Sequence, residues 1–199
     1  MAQPSKRESI LDAGRAEFHE RGYYATGIAA IAARADGAYK GSFYNHFASK
    51  EDHAIEVVTE YGKSQRMEML QDGSVEPLTR IRAHFDFMAT ELRKSNFQLG
   101  CLLGVLSAEV SSDTPRLRET VIGGMTAWSN LLAQALEEAA IAHGGASGHD
   151  SETTAWLLID AYEGAALRGR TTASSAPMDA FLTIALPSTL TAFGDSFTT

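Results

Sequence analysis

Apolar side chains recur at intervals of three and four residues along most of the chain, which is the period of an α-helix. The first such stretch follows Ser5 and Glu8, whose spacing is that of a capping box. Its apolar face includes Gly14, and a glycine inside a helix predicts close packing against a neighbour. The helix is expected to stop at Gly22. The pattern predicts an all-α protein.

Two short helices are predicted next, joined by a turn. Thr26 is the expected N-cap of the first, GIAAIAARA, and Asp36-Gly37 marks the turn. The second runs over 38–47, and Phe43, Tyr44 and Phe47 within it are spaced so that one side can bury rings. This order predicts a helix-turn-helix, in which the second helix enters the major groove of DNA.

The remaining sequence predicts a helical body. A fourth helix begins at Ser49 and is expected to continue to about Leu70. Further helices are predicted over 77–93, 100–110, 115–143, 151–172 and 177–195, with Pro187 kinking or dividing the last one. The domains are expected to be a helix-turn-helix domain over 1–50 and a regulatory and dimerisation domain over 51–199. The two long apolar helices at the C-terminus either form a four-helix interface with a second copy or only close the core of one chain.

Composition and charge place these elements in a protein class. The chain has 199 residues, of which 44% are hydrophobic, and a net charge of −8. The charge is uneven, because residues 1–50 carry +2 and residues 51–199 carry −10. That asymmetry is typical of a DNA-binding domain attached to an acidic regulatory body. No apolar run reaches membrane-spanning length and no signal peptide precedes the first helix, so we expect a cytoplasmic protein without membrane contact.

Three segments resemble the TetR family of bacterial transcriptional repressors: FHERGYYAT at the end of the first helix, IAAIAARA, and KGSFYNHFASKE. The resemblance implies a homodimer that binds double-stranded operator DNA and leaves it when an inducer binds. It places Thr26 and Gly27 over a phosphate and Lys50 on another phosphate. It implies contacts to the DNA backbone or bases from Lys40, Gly41, Ser42, Tyr44 and His46.

The turn before KGS departs from the family pattern, because the segment 36–39 is one residue longer than usual. Tyr39 either reads a base or stacks on sugar, or it fills the gap that the longer turn leaves. A protein-binding adaptor is a further alternative for the helix-turn-helix surface, although Lys40 and Lys50 favour phosphate.

The single cysteine, Cys101, has two readings. It is an inert buried residue, or it is a sensor whose thiolate the N-terminal end of a helix stabilises. GCLLGVLSAEV resembles a segment of a TetR subgroup that includes the N-ethylmaleimide repressor, and that resemblance implies sensing of electrophiles and oxidants. A lone cysteine also excludes an intrachain disulfide.

A ligand cavity is predicted between the body helices, and a plain packed core is the alternative. The candidate lining residues are Phe85, Met88, Phe97, Leu103, Met125, Trp128, Trp156 and Tyr162. Their chemistry suits a small apolar or aromatic inducer. Metal-site, phosphate-loop and hydrolase motifs do not occur, so we expect no cofactor, no metal and no enzymatic activity.

Overall fold

The computed structural model describes residues 5–35, 40–143 and 150–194, and within these ranges every regular element is helical. The predicted all-α fold is therefore confirmed. None of the helices in the described part of the chain is long and apolar enough to cross a membrane. The helices are α1 (Lys6–Ala25), α2 (Ile28–Arg34), α3 (Lys40–Tyr44), α4 (Lys50–Ser64), α5 (Pro77–Lys94), α6 (Leu102–Ser107), α7 (Pro115–Ala142), α8 (Ser151–Thr172), α9 (Ala176–Ala180) and α10 (Leu186–Leu190).

The chain forms two compact units, and neither is continuous in sequence. The first comprises residues 1–64 and 101–124, and the second comprises residues 65–100 and 125–199. The helix-turn-helix segment thus shares a unit with α6 and with the beginning of α7. The boundary near residue 50 stays a prediction about where the DNA-binding function ends.

Helix α1 follows its sequence signals closely. The Glu8 backbone N–H donates to the Ser5 hydroxyl at 3.3 Å, and the Ser5 N–H donates to the Glu8 carboxylate at 2.7 Å, so the capping box is confirmed. Gly14 is packed against His53, since a Cβ at Gly14 would lie 1.9 Å from the imidazole Cε1. Helical conformation is interrupted at Gly22, where φ is 78°.

Helix α4 ends earlier than the sequence predicted, at Ser64 instead of about Leu70. Arg66 adopts a left-handed conformation, and a 3₁₀ turn (Met67–Gln71) follows. Leu70 is buried within the second unit, and its carbonyl accepts a hydrogen bond of 2.8 Å from Arg80 of α5. The α4 helix thus gives way to a separate turn, and Leu70 packs within the second unit.

The core of the second unit is an aromatic cluster from four helical segments. Phe85 of α5 and Phe181 have ring centroids 5.1 Å apart, and Trp128 of α7 and Tyr162 of α8 have centroids 5.7 Å apart. Mutual edge-to-face and tilted contacts of this kind add to the stability gained by burying the rings.

The C-terminal helical segment contains a π-helical stretch (Phe181–Ala185) between α9 and α10, and ends in a 3₁₀ turn (Thr191–Phe193). The Leu186 N–H donates to the Phe181 carbonyl, which is the wider π-helical pairing. Pro187 has no N–H, and in a regular helix its ring would clash with the carbonyl four residues earlier. The predicted division of this helix is confirmed, and the widened turn lies just before the proline.

Candidate nucleic-acid interface and regulatory sites

The inner side of α3 is fixed by an aromatic cluster at the centre of the first unit. Phe43 and Phe47 are buried, and both rings contact the imidazole of buried His53, with centroid distances of 5.1 Å and 4.6 Å. His53 in turn is hydrogen-bonded through Nε2 to the Ile10 carbonyl of α1 at 3.1 Å. The predicted burial of Phe43 and Phe47 is confirmed, and their packing holds α3 against α1 and α4.

The outer side of this segment carries polar and aromatic groups. Lys40, Gly41 and His46 are exposed, Tyr44 is half-exposed, and Ser42 is half-buried. The helix itself ends at Tyr44, so His46 lies in the turn that follows it. The predicted helix over 38–47 is thus shorter than expected at its C-terminal end. Tyr39 and the turn 36–39 lie outside the described residues.

Helix α2 is held against α1 by charged groups. Arg34 donates to the Glu20 carboxylate at 2.7 and 2.9 Å and to Glu17 at 3.1 Å. These two carboxylates raise the pKa of the Arg34 guanidinium above its usual value. The Lys6 ammonium donates to the Ala35 carbonyl at 2.8 Å, just beyond the end of α2. The two contacts set the angle of α2 relative to α1.

Thr26 has a different role from the one predicted. Gly27, not Thr26, is the N-cap of α2, and it is exposed. The Thr26 side chain is buried, with its hydroxyl 2.7 Å from the Gly22 carbonyl and 3.1 Å from the Glu17 carbonyl. The hydroxyl has one proton to donate, and the Gly22 carbonyl at the break in α1 is the nearer acceptor. The exposed part of this junction is therefore the backbone at Gly27.

Lys50, at the start of α4, is directed into the same junction. Its ammonium donates to the carbonyls of Tyr23 and Thr26 at 2.9 and 3.0 Å and lies 4.0 Å from the centre of the Tyr23 ring. Burial lowers its pKa. In this structure the charge of Lys50 is used to hold α4 to the end of α1, whereas the sequence predicted a phosphate contact.

Two domain models match this chain. Residues 10–57 match the family described as bacterial regulatory proteins, tetR family, and residues 77–183 match the C-terminal domain of LmrA/YxaF-like transcriptional regulators. The chain belongs to the TetR family. It is thus a DNA-binding transcriptional regulator, and members of this family are typically dimers and generally not enzymes.

Individual TetR-family relatives cover nearly the whole chain. The transcriptional regulator AcuR of Cereibacter sphaeroides is 31% identical over 87% of this chain and 80% of its own length. The repressor DhaR of Mycobacterium sp. strain GP1 is 30% identical over 95% of this chain and 96% of its own length. The crystal structure of reduced Escherichia coli NemR superposes with a TM-score of 0.74, at 28% identity, over 89% of this chain and 94% of NemR.

Cys101 is the N-cap residue of α6, immediately before the helix begins. The cysteine is only 3% exposed, and the Tyr61 hydroxyl of α4 donates to its sulfur at 3.6 Å. The Tyr61 ring is itself packed by His19 edge-on, with centroids 5.4 Å apart, and by the Arg15 guanidinium at 5.1 Å. The thiol therefore belongs to a buried group that includes α1 and α4.

The loop between α6 and α7 binds the end of α1. The Tyr24 N–H donates to the Glu109 carboxylate at 3.0 Å, and the Tyr24 hydroxyl lies 2.7 Å from that of Ser111. Exposed charged and hydroxyl residues of this kind carry no periodic signal, so sequence analysis missed these contacts.

The first turn of α7 binds the start of α4. The backbone N–H groups of Arg116 and Leu117 both donate to one oxygen of Glu51 at 3.1 Å, and the Arg116 guanidinium lies 2.6 Å from Asp52. Glu51 thus satisfies two of the N–H groups that a helix start leaves unpaired. These contacts join residues 101–124 to α4, the helix that follows the helix-turn-helix segment.

The predicted cavity residues divide between the two units. Phe85, Met88, Phe97, Trp128 and Tyr162 are buried in the second unit, and Met125 of that unit is half-buried. Cys101 and Leu103 belong to the first unit. Trp156 contradicts the prediction, because it lies exposed on α8 next to exposed Leu157. The apolar residues of α8 extend around more than one side of the helix, and periodicity alone could not tell which side faces inward.

Sequence analysis missed His84. It lies on α5 among Ile81, Phe85 and Met88, and like them it is buried. Burial lowers its pKa to about 4, so the imidazole is neutral at pH 7. A histidine one helical turn from Met88 on an otherwise apolar stripe was the available signal.

Proposed function

We propose that this TetR-family regulator is a repressor that binds a two-fold-related operator as a homodimer, in the cytoplasm, and leaves it when a small inducer binds. The observation that carries the proposal is the two-sided construction of α3. Its inner ring, Phe43, packs against His53, while Lys40 and Tyr44, with His46 in the following turn, are exposed; the Tyr44 ring also meets Phe43 edge-on at 5.6 Å. A rigid short helix with an exposed basic and aromatic face suits the major groove.

The outward residues differ in what they are expected to read. Lys40 supplies a charge for phosphate, and Gly27 and Gly41 allow the DNA backbone to approach closely. Ser42, Tyr44 and His46 offer hydrogen-bonding groups that reach base edges. Because the net charge of the chain is −8, attraction to DNA depends on these local groups and not on the charge of the whole protein.

The proposed dimer interface lies on α8 and the segment 176–193. Leu167 and Ile184 are 63% and 65% exposed. Exposed Trp156 and Leu157 lie nearer the N-terminal end of α8. A groove of about 440 Å³ runs between the two segments. It is lined by Ala161, Gly164, Ala165, Arg168, Pro177, Ala180, Phe181, Ile184 and Ala185. Large apolar side chains around a shallow apolar groove are typical of a surface that a second copy covers.

Release is proposed to occur by population shift. The inducer favours a body conformation in which the two α4 helices move apart, so that the recognition helices lose their one-turn spacing on the operator. Residues 101–124 are suited to transmit the change, since Glu51 and Asp52 at the start of α4 are bound by the first turn of α7.

The two lysines of the interface allow a paired prediction. Lys40→Met is expected to weaken binding to all DNA sequences and to reduce the salt slope of log K by about one unit, because one phosphate contact is lost. Lys50→Met is expected to lower the free energy of unfolding by about 1 kcal/mol, because two carbonyls lose their charged donor. Fluorescence-anisotropy titrations over a range of salt and urea unfolding measure the two effects. A salt slope that changes only in Lys50→Met would contradict this assignment.

A second mode of release is favoured by the contact between Tyr61 and Cys101. An electrophile that alkylates the sulfur adds volume where the tyrosine hydroxyl now donates, and Tyr61 belongs to α4. Modification at Cys101 would therefore displace α4, the helix that follows the helix-turn-helix segment. The burial of the thiol supports the alternative, an inert core cysteine.

A gel-shift titration separates these modes and tests the proposal as a whole. The DNA is the intergenic region upstream of the protein's own gene, and N-ethylmaleimide is added to wild type and to Cys101→Ser. Specific binding that the reagent abolishes only in wild type supports a cysteine sensor. Specific binding that the reagent leaves unchanged supports a reversible ligand. Binding to that region no tighter than to random DNA contradicts self-regulation, and the same result across a library of random operators contradicts the proposed function.

A further inference from the structure

Two buried polar side chains in the second unit, His84 and Trp128, have no hydrogen-bond partner among the described residues. His84 is 0% exposed and neither of its ring nitrogens is paired, while Trp128 is 1% exposed and its indole N–H is unpaired. Their rings meet edge to face with centroids 5.9 Å apart. Three polar atoms thus lie close together in the interior of this unit.

Two unpaired polar side chains in the interior destabilise the fold unless a bound molecule forms hydrogen bonds with them. A buried donor or acceptor without a partner loses its hydration and gains nothing in return, and the apolar stripe of α5 would accommodate phenylalanine or leucine at the position of His84 without that loss. Native proteins pair nearly all buried polar groups, so an unpaired one calls for an explanation, and a bound molecule that completes the hydrogen bonds is one.

The surroundings define what a partner must offer. A neutral imidazole provides one N–H donor and one acceptor nitrogen, and the indole of Trp128 provides a second N–H donor. Phe85 and Tyr162 pack beside the pair and Phe181 packs on both of them, so a flat apolar body would bind by moving in among these rings. A bound molecule would therefore combine a ring or short apolar chain with an oxygen that accepts hydrogen bonds.

The charge of the partner also follows from the nearby residues. Arg80 lies one helical turn from His84, and its charge is offset by the Glu138 carboxylate; its terminal nitrogens bind that carboxylate and the Leu70 carbonyl, while its Nε has no partner among the described residues. His84 is neutral, so the described side chains around this pair offer no uncompensated positive charge. A carboxylate buried here would lack a counter-ion, which disfavours an anionic ligand.

We propose that His84 and Trp128 form the polar recognition point for the inducer, and that the inducer is a small neutral carbonyl compound with an aromatic or short apolar body. The carbonyl oxygen accepts from Trp128 Nε1 and from the imidazole N–H, and the body packs on the rings. This inference rests on the proposed function, since it assigns the ligand class of the proposed regulator.

The test uses the intact dimeric protein and three probes that share one ring. Benzamide is neutral with a carbonyl, toluene lacks the polar group, and benzoate is anionic. Binding is measured by isothermal titration calorimetry on wild type, so that Trp156, which lies on the proposed dimer interface, stays unchanged. We expect benzamide to bind about 100-fold tighter than toluene, about tenfold for each of the two hydrogen bonds, and benzoate to bind no better than toluene.

Variants that keep ring shape identify the atoms responsible. His84→Phe removes both nitrogens, and is expected to raise the dissociation constant for benzamide about tenfold while leaving that for toluene unchanged. Trp128→Phe removes the indole N–H. The preference of this variant for benzamide over toluene is expected to fall by the same factor, and calorimetry measures it. If His84 and Trp128 had only a structural role, each substitution would weaken the binding of all three probes to a similar extent.

Several results would overturn the assignment. They are equal affinity of wild type for benzamide and toluene, absence of binding by all three probes, and an undiminished preference for benzamide in both variants. Operator binding without probe, measured on the same samples, separates this inference from the proposed function. Failure of wild type to bind any operator contradicts the function, whereas operator binding without a preference for benzamide contradicts only the ligand class.

Discussion

Leu167→Glu combined with Ile184→Glu is expected to dissociate the dimer and to weaken operator binding by roughly 100-fold or more. Both side chains are largely exposed on one chain, and in the proposed two-fold interface each would be buried. An interface of this symmetry contains every substitution twice, so the double variant places four unpaired carboxylates in an apolar contact. Burial of an unpaired charge costs several kcal/mol, which is more than a typical dimer contact at one position supplies.

Sedimentation equilibrium measures the first effect and gel shift the second. Val75→Glu is the matched control, since it also puts a carboxylate in place of an exposed apolar side chain but lies in the turn before α5. The control is expected to remain dimeric with unchanged operator affinity. A double variant that sediments as a dimer would show that the interface lies elsewhere.

Mild acid is expected to destabilise this protein before its carboxylates titrate. The pKa values of His53 and His84 are lowered from 6.5 to about 4, in both cases mainly by burial. For His53, burial outweighs the bond from Nε2 to the Ile10 carbonyl, which by itself favours the protonated ring, and buried Nδ1 has no acceptor among the described residues for a second proton. Below pH 6.5 the unfolded chain binds a proton at each histidine and the folded chain does not. Each histidine therefore lowers the free energy of unfolding by roughly 1.4 kcal/mol per pH unit as the pH falls toward about 4.

The pH dependence of urea unfolding between pH 6.5 and 4.5 measures this effect. His53→Gln keeps a donor for the Ile10 carbonyl but does not titrate, so it is expected to halve the slope of stability against pH, whatever its stability at pH 7. His84→Gln is the matched variant, because burial lowers the pKa of His84 in the same way, and it too is expected to halve the slope. If His53→Gln retained the wild-type slope, another group would be responsible.

Most of the fold could be predicted from the sequence, because helix starts and buried faces have local signals. The capping box at Ser5, the tight contact at Gly14 and the interruption at Gly22 each depend on one residue type at one position. The end of α4 could not be predicted, because Leu70 continues the apolar spacing of that helix but lies in a separate turn, bonded to Arg80 ten residues further on.

The candidate sites were predictable only in part, for a related reason. Which face of α3 points outward follows from the spacing of Phe43 and Phe47. The groups that Thr26 and Lys50 bind could not be predicted, because the carbonyls that accept from them come together only in the folded junction. The unpaired state of His84 is likewise a property of three-dimensional surroundings and has no sequence signal beyond its polarity on an apolar stripe.

The attachment of residues 101–124 to the first unit bears on how hybrid regulators should be built from this protein. Engineers who exchange operator specificity commonly join one N-terminal segment to another protein's body. A transplant that stopped at Ser64 would leave the Tyr61 hydroxyl without Cys101, Tyr24 without Glu109, and Glu51 without the start of α7. The transferable module here is discontinuous, and a working graft needs junctions near residues 64, 101 and 124.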